Sequence, residues 1–284
     1  MVFVFLYRWY TICMYTLVFI FIFLLGTIIG SFLNVVIYRF NTGKSITKGR
    51  SMCMTCNRTL RWYELIPVFS FLIQSGKCRR CASTISHQYP LVELGTGLVF
   101  TLIAFHFLYV LFFSQLAYTV LVIFYSFIFS LLIVILVYDI RHKIIPDRLV
   151  YIFCILAFLS VYLTHSGIGP LLMTPKILAV LAGPLLAAPF ALLWLVSKGT
   201  WMGLGDAKLI LGLGWLLGPW LGLSMLTLSF WIGALVSLGI MFFSRRRMTM
   251  KTEIPFAPFL IFSTFVVFLF TIDIFRLATL FYFF

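Results

Sequence analysis

Phe129–Asp139 reads FSLLIVILVYD, an uninterrupted apolar run that ends on a carboxylate. Extended back to Gln115, the same stretch stays uncharged over 115–138. A helix needs about 20 apolar residues to cross the hydrocarbon core of a bilayer, so this run predicts a membrane span with Asp139 at its end. Working outward, similar runs recur at 11–38, 91–112, 149–165, 176–197, 207–223, 225–243 and 257–275. The two runs on either side of Gly222–Ser224 are weakly separated, and one broken or re-entrant segment also fits them.

Composition points the same way. The chain is 63% apolar, 19% aromatic and 10% charged, with a mean hydropathy of +1.14. A soluble domain is about 45–50% apolar and about 25% charged. The expected fold class is therefore an all-α polytopic membrane protein with about eight transmembrane helices. The first run continues from Thr11 to Tyr38 without a small-residue cleavage site and is read as a retained helix. There is no internal repeat.

A net charge of +14 in a soluble protein would suggest nucleic acid. Here the cations sit in short loops between apolar runs, with no basic domain to track phosphates, so nucleic-acid binding is excluded. The segment 39–90 carries Arg39, Lys44, Lys48, Arg50, Arg58, Arg61, Lys77, Arg79 and Arg80 against one acid, Glu64. The loops holding Arg141, Lys143 and Arg148, Lys198 and Lys208, and Arg245–Arg247 with Lys251 fall on that same side; Arg8, Lys176 and Arg276 lie opposite. Positive loops face the cytoplasm. This orientation puts the long loop, Asp139 and Asp206 at the cytoplasmic face, with both termini outside.

Only seven carboxylate side chains are present. An ionisable group at membrane depth is costly and points to function, usually with a partner. Asp139 would oppose the macrodipole at a helix C-terminus, so a plain structural pairing with Arg141 or His142 is strained. Asp206 lies in WMGLGDAKLILGLGW (201–215), where Gly203 and Gly205 allow positive φ, close backbone approach, or unwound backbone beside the carboxylate. A loop with Asp206 as a helix cap is the simpler alternative. Asp147 follows Pro146 and reads as a carboxylate at the start of a helix. Two close carboxylates share a proton and titrate together. One can then take a proton from water while the other protonates a carbonyl or a departing amine. That is aspartyl proteolysis at a membrane surface. His106, His165 and the Asp273–Arg276 pair read as packing or local pairing, and His142 as a modulator of Asp139. No HExxH or GxSxG stands anywhere in the chain.

The polar segment 39–90 holds SMCMTCNRTL and SGKCRRCAST, two C-x2-C pairs with 21 residues between them. Four thiolates at about 2.3 Å close a structural tetrahedral zinc site. Paired disulfides are the alternative, disfavoured in a reducing compartment. Cys53, Cys56, Cys78 and Cys81 are thus the candidate ligands, while Cys13 and Cys154 lie in apolar runs and read as inert core residues.

These motifs, in this order, resemble the bacterial type IV prepilin peptidases. GSFLNVVIYR (30–39) is similar to the family's first-helix signature, and the cysteine pairs, with RWYELIPVFSF between and ISHQYPLVEL after, to its zinc loop. YDIRHKIIPDRLV and GLGDAKLILGLGWLLG resemble its two aspartate motifs, the second being the GxGD signature shared with presenilin-like intramembrane proteases; IPFAPFL (254–260) resembles its late proline motif. Asn57 and Ala82 follow the second and fourth cysteines, where the family commonly has glycine, and Gln88 replaces an expected basic residue.

The resemblance implies that Asp139 and Asp206 form the catalytic dyad and that the four cysteines carry zinc. It implies prepilin or pseudopilin substrates, cleaved after a glycine that follows a basic leader. It also implies N-methylation of the new terminus from S-adenosylmethionine. The implied division is residues 1–95, first helix plus zinc loop with the methyl-transfer part, and residues 96–284, the membrane-embedded peptidase. The rival readings are a non-enzymatic transporter or pilus or secretion assembly scaffold using the aspartates as an ion relay, for which no inverted halves are evident, and a methyltransferase without peptidase activity.

Overall fold

A computed structural model describes residues 2–43, 45–164, 177–243 and 255–274, with side chains from Met14 onward. The chain divides into two compact units, Met1–Val134 and Ile135–Phe284. Among the described residues the structure is helical, and its β pairing consists of two isolated bridges.

In the first unit, α1 (Val2–Arg39) leads into a loop containing a 3-10 turn (Trp62–Leu65) and the short α2 (Phe69–Ile73), followed by α3 (Gln88–His106), α4 (Leu108–Leu111) and the start of α5 (Gln115–His142). Helices α1 and α3 pack along each other. Lipid supplies no hydrophobic drive between helices, so close association needs small residues at the contact. Gly26 and Gly30 provide them: a Cβ on either would stand 2.8 Å from the Cα of Gly97 or Glu93. Asn34 is fully buried on α1 and donates from Nδ2 to the carbonyls of Tyr89 (3.2 Å) and Gly30 (3.3 Å), while Gln88 Nε2 donates to its Oδ1 at 3.4 Å. Interhelical hydrogen bonds of this kind contribute about 0.6 kcal/mol each in a bilayer. The Tyr38 and Tyr89 rings stack at 5.1 Å beside them.

In the second unit, the end of α5 is followed by α6 (Asp147–Thr164), α7 (Ile177–Ser197), α8 (Leu204–Phe243) and α9 (Ala257–Phe270), and α8 packs against α6, α7 and α9. A Cβ on Gly214 of α8 would stand 2.9 Å from the Cα of Gly183 on α7. Pro184 has no N–H to return to the carbonyl of Val180 one turn earlier. Trp215 Nε1 donates to that carbonyl at 2.8 Å, so α8 satisfies a group that α7 leaves open.

The all-helical, polytopic membrane architecture matches the sequence expectation. Among the described residues five helices are long and apolar enough to cross a membrane, and α9 is a shorter apolar helix. The runs at 207–223 and 225–243 fall within α8, which is two helical stretches joined at a kink. Its break falls at Gly218, φ 77° and ψ −178°, rather than at 222–224. Pro219 disfavours helical geometry at the residue before it and removes a hydrogen bond, and glycine takes the positive φ that a side chain would resist.

Candidate active site and metal centre

Asp139 lies in the last turn of α5 and is 4% exposed. Lys143 closes that helix: it takes a left-handed φ of 53°, and its N–H donates to the Asp139 carbonyl at 2.7 Å. His142 stacks on Tyr138 with ring centroids 4.4 Å apart. The carbonyl of Pro146 accepts from Leu149 and Val150, so the chain enters α6 with Asp147 as its first residue.

Asp206 is in the first turn of α8, partly buried, two residues after the helix begins at Leu204. Gly205 and Asp206 are helical, and the irregular backbone before them ends at Gly203. Neither Gly203 nor Gly205 takes positive φ. Gly205 serves close approach instead: a Cβ there would stand 3.0 Å from the Cβ of Ile145, in the connection that follows Asp139.

Three further contacts fasten the same turn. Lys208 Nζ pairs with Asp147 Oδ1 at 2.8 Å and lies over the Tyr151 ring at 5.3 Å. Cys154 Sγ, buried on α6, lies 3.5 Å from the Lys208 carbonyl. Asp139 and Asp206 thus belong to one compact unit, with the turn that carries Asp206 set against the connection that leaves Asp139. Two carboxylates brought close can hold one proton between them and exchange it with a bound reactant. The Lys208 partner of Asp147 was not foreseen, because sixty-odd intervening residues hide it from any local pattern.

The four candidate metal ligands in the first unit come together. The sulfur atoms of Cys53, Cys56, Cys78 and Cys81 all lie within 4.8 Å of one another, and Cys53 and Cys81 are 3.8 Å apart. Ligands at about 2.3 Å from a tetrahedral zinc ion would be separated by about 3.8 Å, so the set fits that ion. All four are free thiols rather than disulfides.

The two halves repeat one local design. Cys53 N–H donates to Arg58 O and Asn57 N–H to Cys53 O; in the second knuckle Cys78 N–H donates to Ser83 O and Ala82 N–H to Cys78 O. Each is flanked by an antiparallel bridge, Met52 with Thr59 and Lys77 with Thr84. Asn57 and Ala82 both take φ 54°, the left-handed region where glycine is at home.

The backbone N–H groups of Cys56 and Thr55, aimed at Cys53, lower its thiol to about 6. Ser83, through its side chain and backbone N–H, holds Cys81 below the ordinary thiol range. At Cys56 the N–H of Arg58 favours the thiolate, but burial and the neighbouring sulfurs outweigh it and push the group up to about 11. A bound dication would favour all four thiolates at once.

The 3-10 turn at Trp62–Leu65 carries both knuckles. Glu64, buried within it, pairs with Arg58 of the first knuckle and accepts from the Arg61 N–H at 2.8 Å. Arg79 of the second knuckle lies over the Tyr63 ring at 5.1 Å. The loop is tied to the membrane helices by Glu93 of α3, which is 6% exposed and accepts from the Val68 N–H at 2.7 Å. Val68 has φ 63°, an unfavourable conformation for a β-branched residue. Glu93 was missed in the sequence, although a carboxylate inside an apolar run was the available signal.

Of the remaining residues, His106 packs edge-on against Phe107 at 4.9 Å. His165, Lys176, Arg276 and the side chain of Cys13 lie outside the described residues.

Fold and site define the class: a polytopic helical membrane protein with a four-cysteine loop in its first unit and the carboxylates Asp139 and Asp206 in its second. Comparison with known proteins narrows the class. The model of the bacterial Peptidase A24 N-terminal domain matches residues 24–107, and that of the Type IV leader peptidase family matches residues 126–238. The prepilin leader peptidase/N-methyltransferase of Pseudomonas aeruginosa is 31% identical over 262 residues, covering 84% of this chain and 85% of that protein. The protein of the same name in Bacillus subtilis is 34% identical over 238 residues, covering 84% and 88%. That of Vibrio cholerae is 30% identical over 254 residues, covering 86% and 94%. No solved structure matches the chain at a significant level. The chain belongs to the type IV leader peptidase family.

Proposed function

We propose that this protein is a membrane aspartyl endopeptidase. It removes the basic leader of prepilin-like proteins after a glycine, with Asp139 and Asp206 as its dyad and the site at the cytoplasmic border of the membrane. The observation that carries the reading is that Asp139 ends α5 and Asp206 sits in the first turn of α8, with that turn, at Gly205, packed against Ile145 of the connection that follows Asp139, in a chain of this family. The basic loops support the orientation.

In the mechanism, the dyad holds one proton. The ionised carboxylate takes a proton from water as the water oxygen bonds to the glycine carbonyl carbon. The other carboxyl gives its proton to the carbonyl oxygen. Collapse of the tetrahedral species breaks the C–N bond: one of its hydroxyls returns a proton to the carboxylate that had protonated the carbonyl oxygen, which restores the dyad, and the departing amine receives the proton first taken from water. General acid and base groups contribute about 10²–10⁴-fold each.

Cys53, Cys56, Cys78 and Cys81 would hold zinc, which there would cross-link the loop without an open position for catalysis. The division of labour between an N-terminal part, residues 1–95, and a peptidase part, residues 96–284, belongs to the same reading. N-methylation of the new terminus is supported by the relatives' names and the motif resemblance. The cavity of about 330 Å³ in the first unit is lined by apolar side chains and the hydroxyls of Ser31 and Ser51. That lining offers no charged group for the amino-acid end of S-adenosylmethionine, so it does not fit this cofactor and no step is derived through it.

The test is to incubate the purified protein in lipid nanodiscs with a prepilin and S-adenosylmethionine, then weigh the mature N-terminus. Cleavage after glycine is expected, with an added methyl group if the second activity is present. An uncut prepilin would overturn the reading in favour of a scaffold or ion relay.

A further inference from the structure

Between the cysteine knuckles, the segment Trp62–Ile73 turns its largest apolar side chains outward. Trp62 is 78% exposed and Ile73 71%, with Leu65, Ile66, Phe69 and Leu72 also exposed between them. A loop in water would bury such a set, and a contiguous exposed apolar face marks an interaction surface. Two observations say what covers it. First, the face is continuous with a membrane-spanning helix: Trp62, Leu65, Ile66 and Pro67 share one cavity wall with Ile28, Phe32 and Val35 of α1, where Ile28 and Phe32 are themselves outward-facing. Second, the flanks are cationic. Lys48, Arg50, Arg61, Lys77, Arg79 and Arg80 are all exposed, while Glu64 is buried and paired. Apolar side chains with a tryptophan at the edge and a basic surround are the pattern of a segment lying in the bilayer interface beside anionic headgroups.

We propose that Trp62–Ile73 is an interfacial membrane platform: the loop lies on the bilayer with these side chains among the upper acyl chains and its basic rim at the headgroups. The four-cysteine centre, joined to the same turn through Arg58–Glu64 and Arg79–Tyr63, is thereby held at the membrane surface. This does not depend on the peptidase reading.

The test uses the full chain in nanodiscs and takes the difference in tryptophan emission between wild type and Trp62→Phe. Nanodiscs of lipid brominated near the glycerol end of the acyl chains are compared with unbrominated ones, and acrylamide is the aqueous quencher. The expected result is that the Trp62 component falls by about half or more in bromolipid and is shielded from acrylamide. Quenching by acrylamide with no bromolipid effect would overturn the proposal. So would shielding from both quenchers, which would mean that protein, such as a substrate helix or a second copy, covers the face. If Trp62→Phe does not fold, Leu72→Trp in the native chain reads the same surface by the same comparison.

Discussion

Gly205 lies tight against Ile145: a Cβ on the glycine would stand 3.0 Å from the isoleucine Cβ, so even one added carbon makes a neighbour give way. This contact sets how near the first turn of α8, which carries Asp206, comes to the connection that leaves Asp139. Gly205→Val should therefore push the turn away and misplace the pair. Misplacement on the order of 1 Å costs about 10²-fold in rate, so prepilin cleavage should fall by roughly that factor while membrane insertion and expression are retained. An unchanged cleavage rate would show that the contact does not set the site.

The knuckle after Cys81 is strained at Ala82, whose φ of 54° is left-handed. That conformation costs a non-glycine residue about 1–2 kcal/mol. Ala82→Gly should stabilise the loop by about 1 kcal/mol after glycine's greater freedom in the unfolded chain is counted. Resistance of the loop to limited proteolysis, measured against denaturant, reads the gain. Asn57→Gly, at the same φ, should give a smaller one because asparagine tolerates this region better.

Cys78 is the buried member of the thiol cluster. Cys78→Ser should abolish stoichiometric zinc, measured by elemental analysis, and open residues 40–87 to protease while the helical core keeps its circular dichroism. Losing a structural zinc removes folding free energy that was supplied by binding.

Glu64 predicts a pH dependence. Burial alone would raise its carboxyl, but the Arg61 N–H and the Arg58 guanidinium, with Arg79 nearby, hold it below the ordinary carboxylate range. A carboxyl depressed in the folded state contributes stability that is fully present above its unfolded value of about 4.3 and is lost as pH falls through the depressed folded value. Glu64→Gln should make the loop more protease-sensitive at neutral pH. The wild-type advantage should shrink as pH drops below that range, and a pH-independent difference would contradict the role given to the carboxylate.

The architecture was legible because membrane helices announce themselves by length and composition. The run ending at Asp139 and the CxxC pairs needed no tertiary information. The break in α8 was harder: Gly218–Pro219 carries the signal, but the looser composition at Gly222–Ser224 drew attention away from it. Close approach was one of the readings of the glycines near Asp206, and Gly205 bears it out, but its partner Ile145 is invisible until α8 meets the connection after α5. Lys208 with Asp147, and Glu93 with Val68, were missed for the same reason: each joins segments that only folding brings together.

The central claim is that Asp139 and Asp206 act as one acid–base pair. Its most direct test is the mass of the prepilin N-terminus after incubation with Asp139→Asn or Asp206→Asn protein in nanodiscs, each checked for folding by circular dichroism and thermal unfolding. The amide preserves shape but can neither accept nor donate the proton. Each single variant, and the double variant equally, should lose cleavage by about 10³-fold or more. Cleavage at near wild-type rate by either single variant would contradict the account.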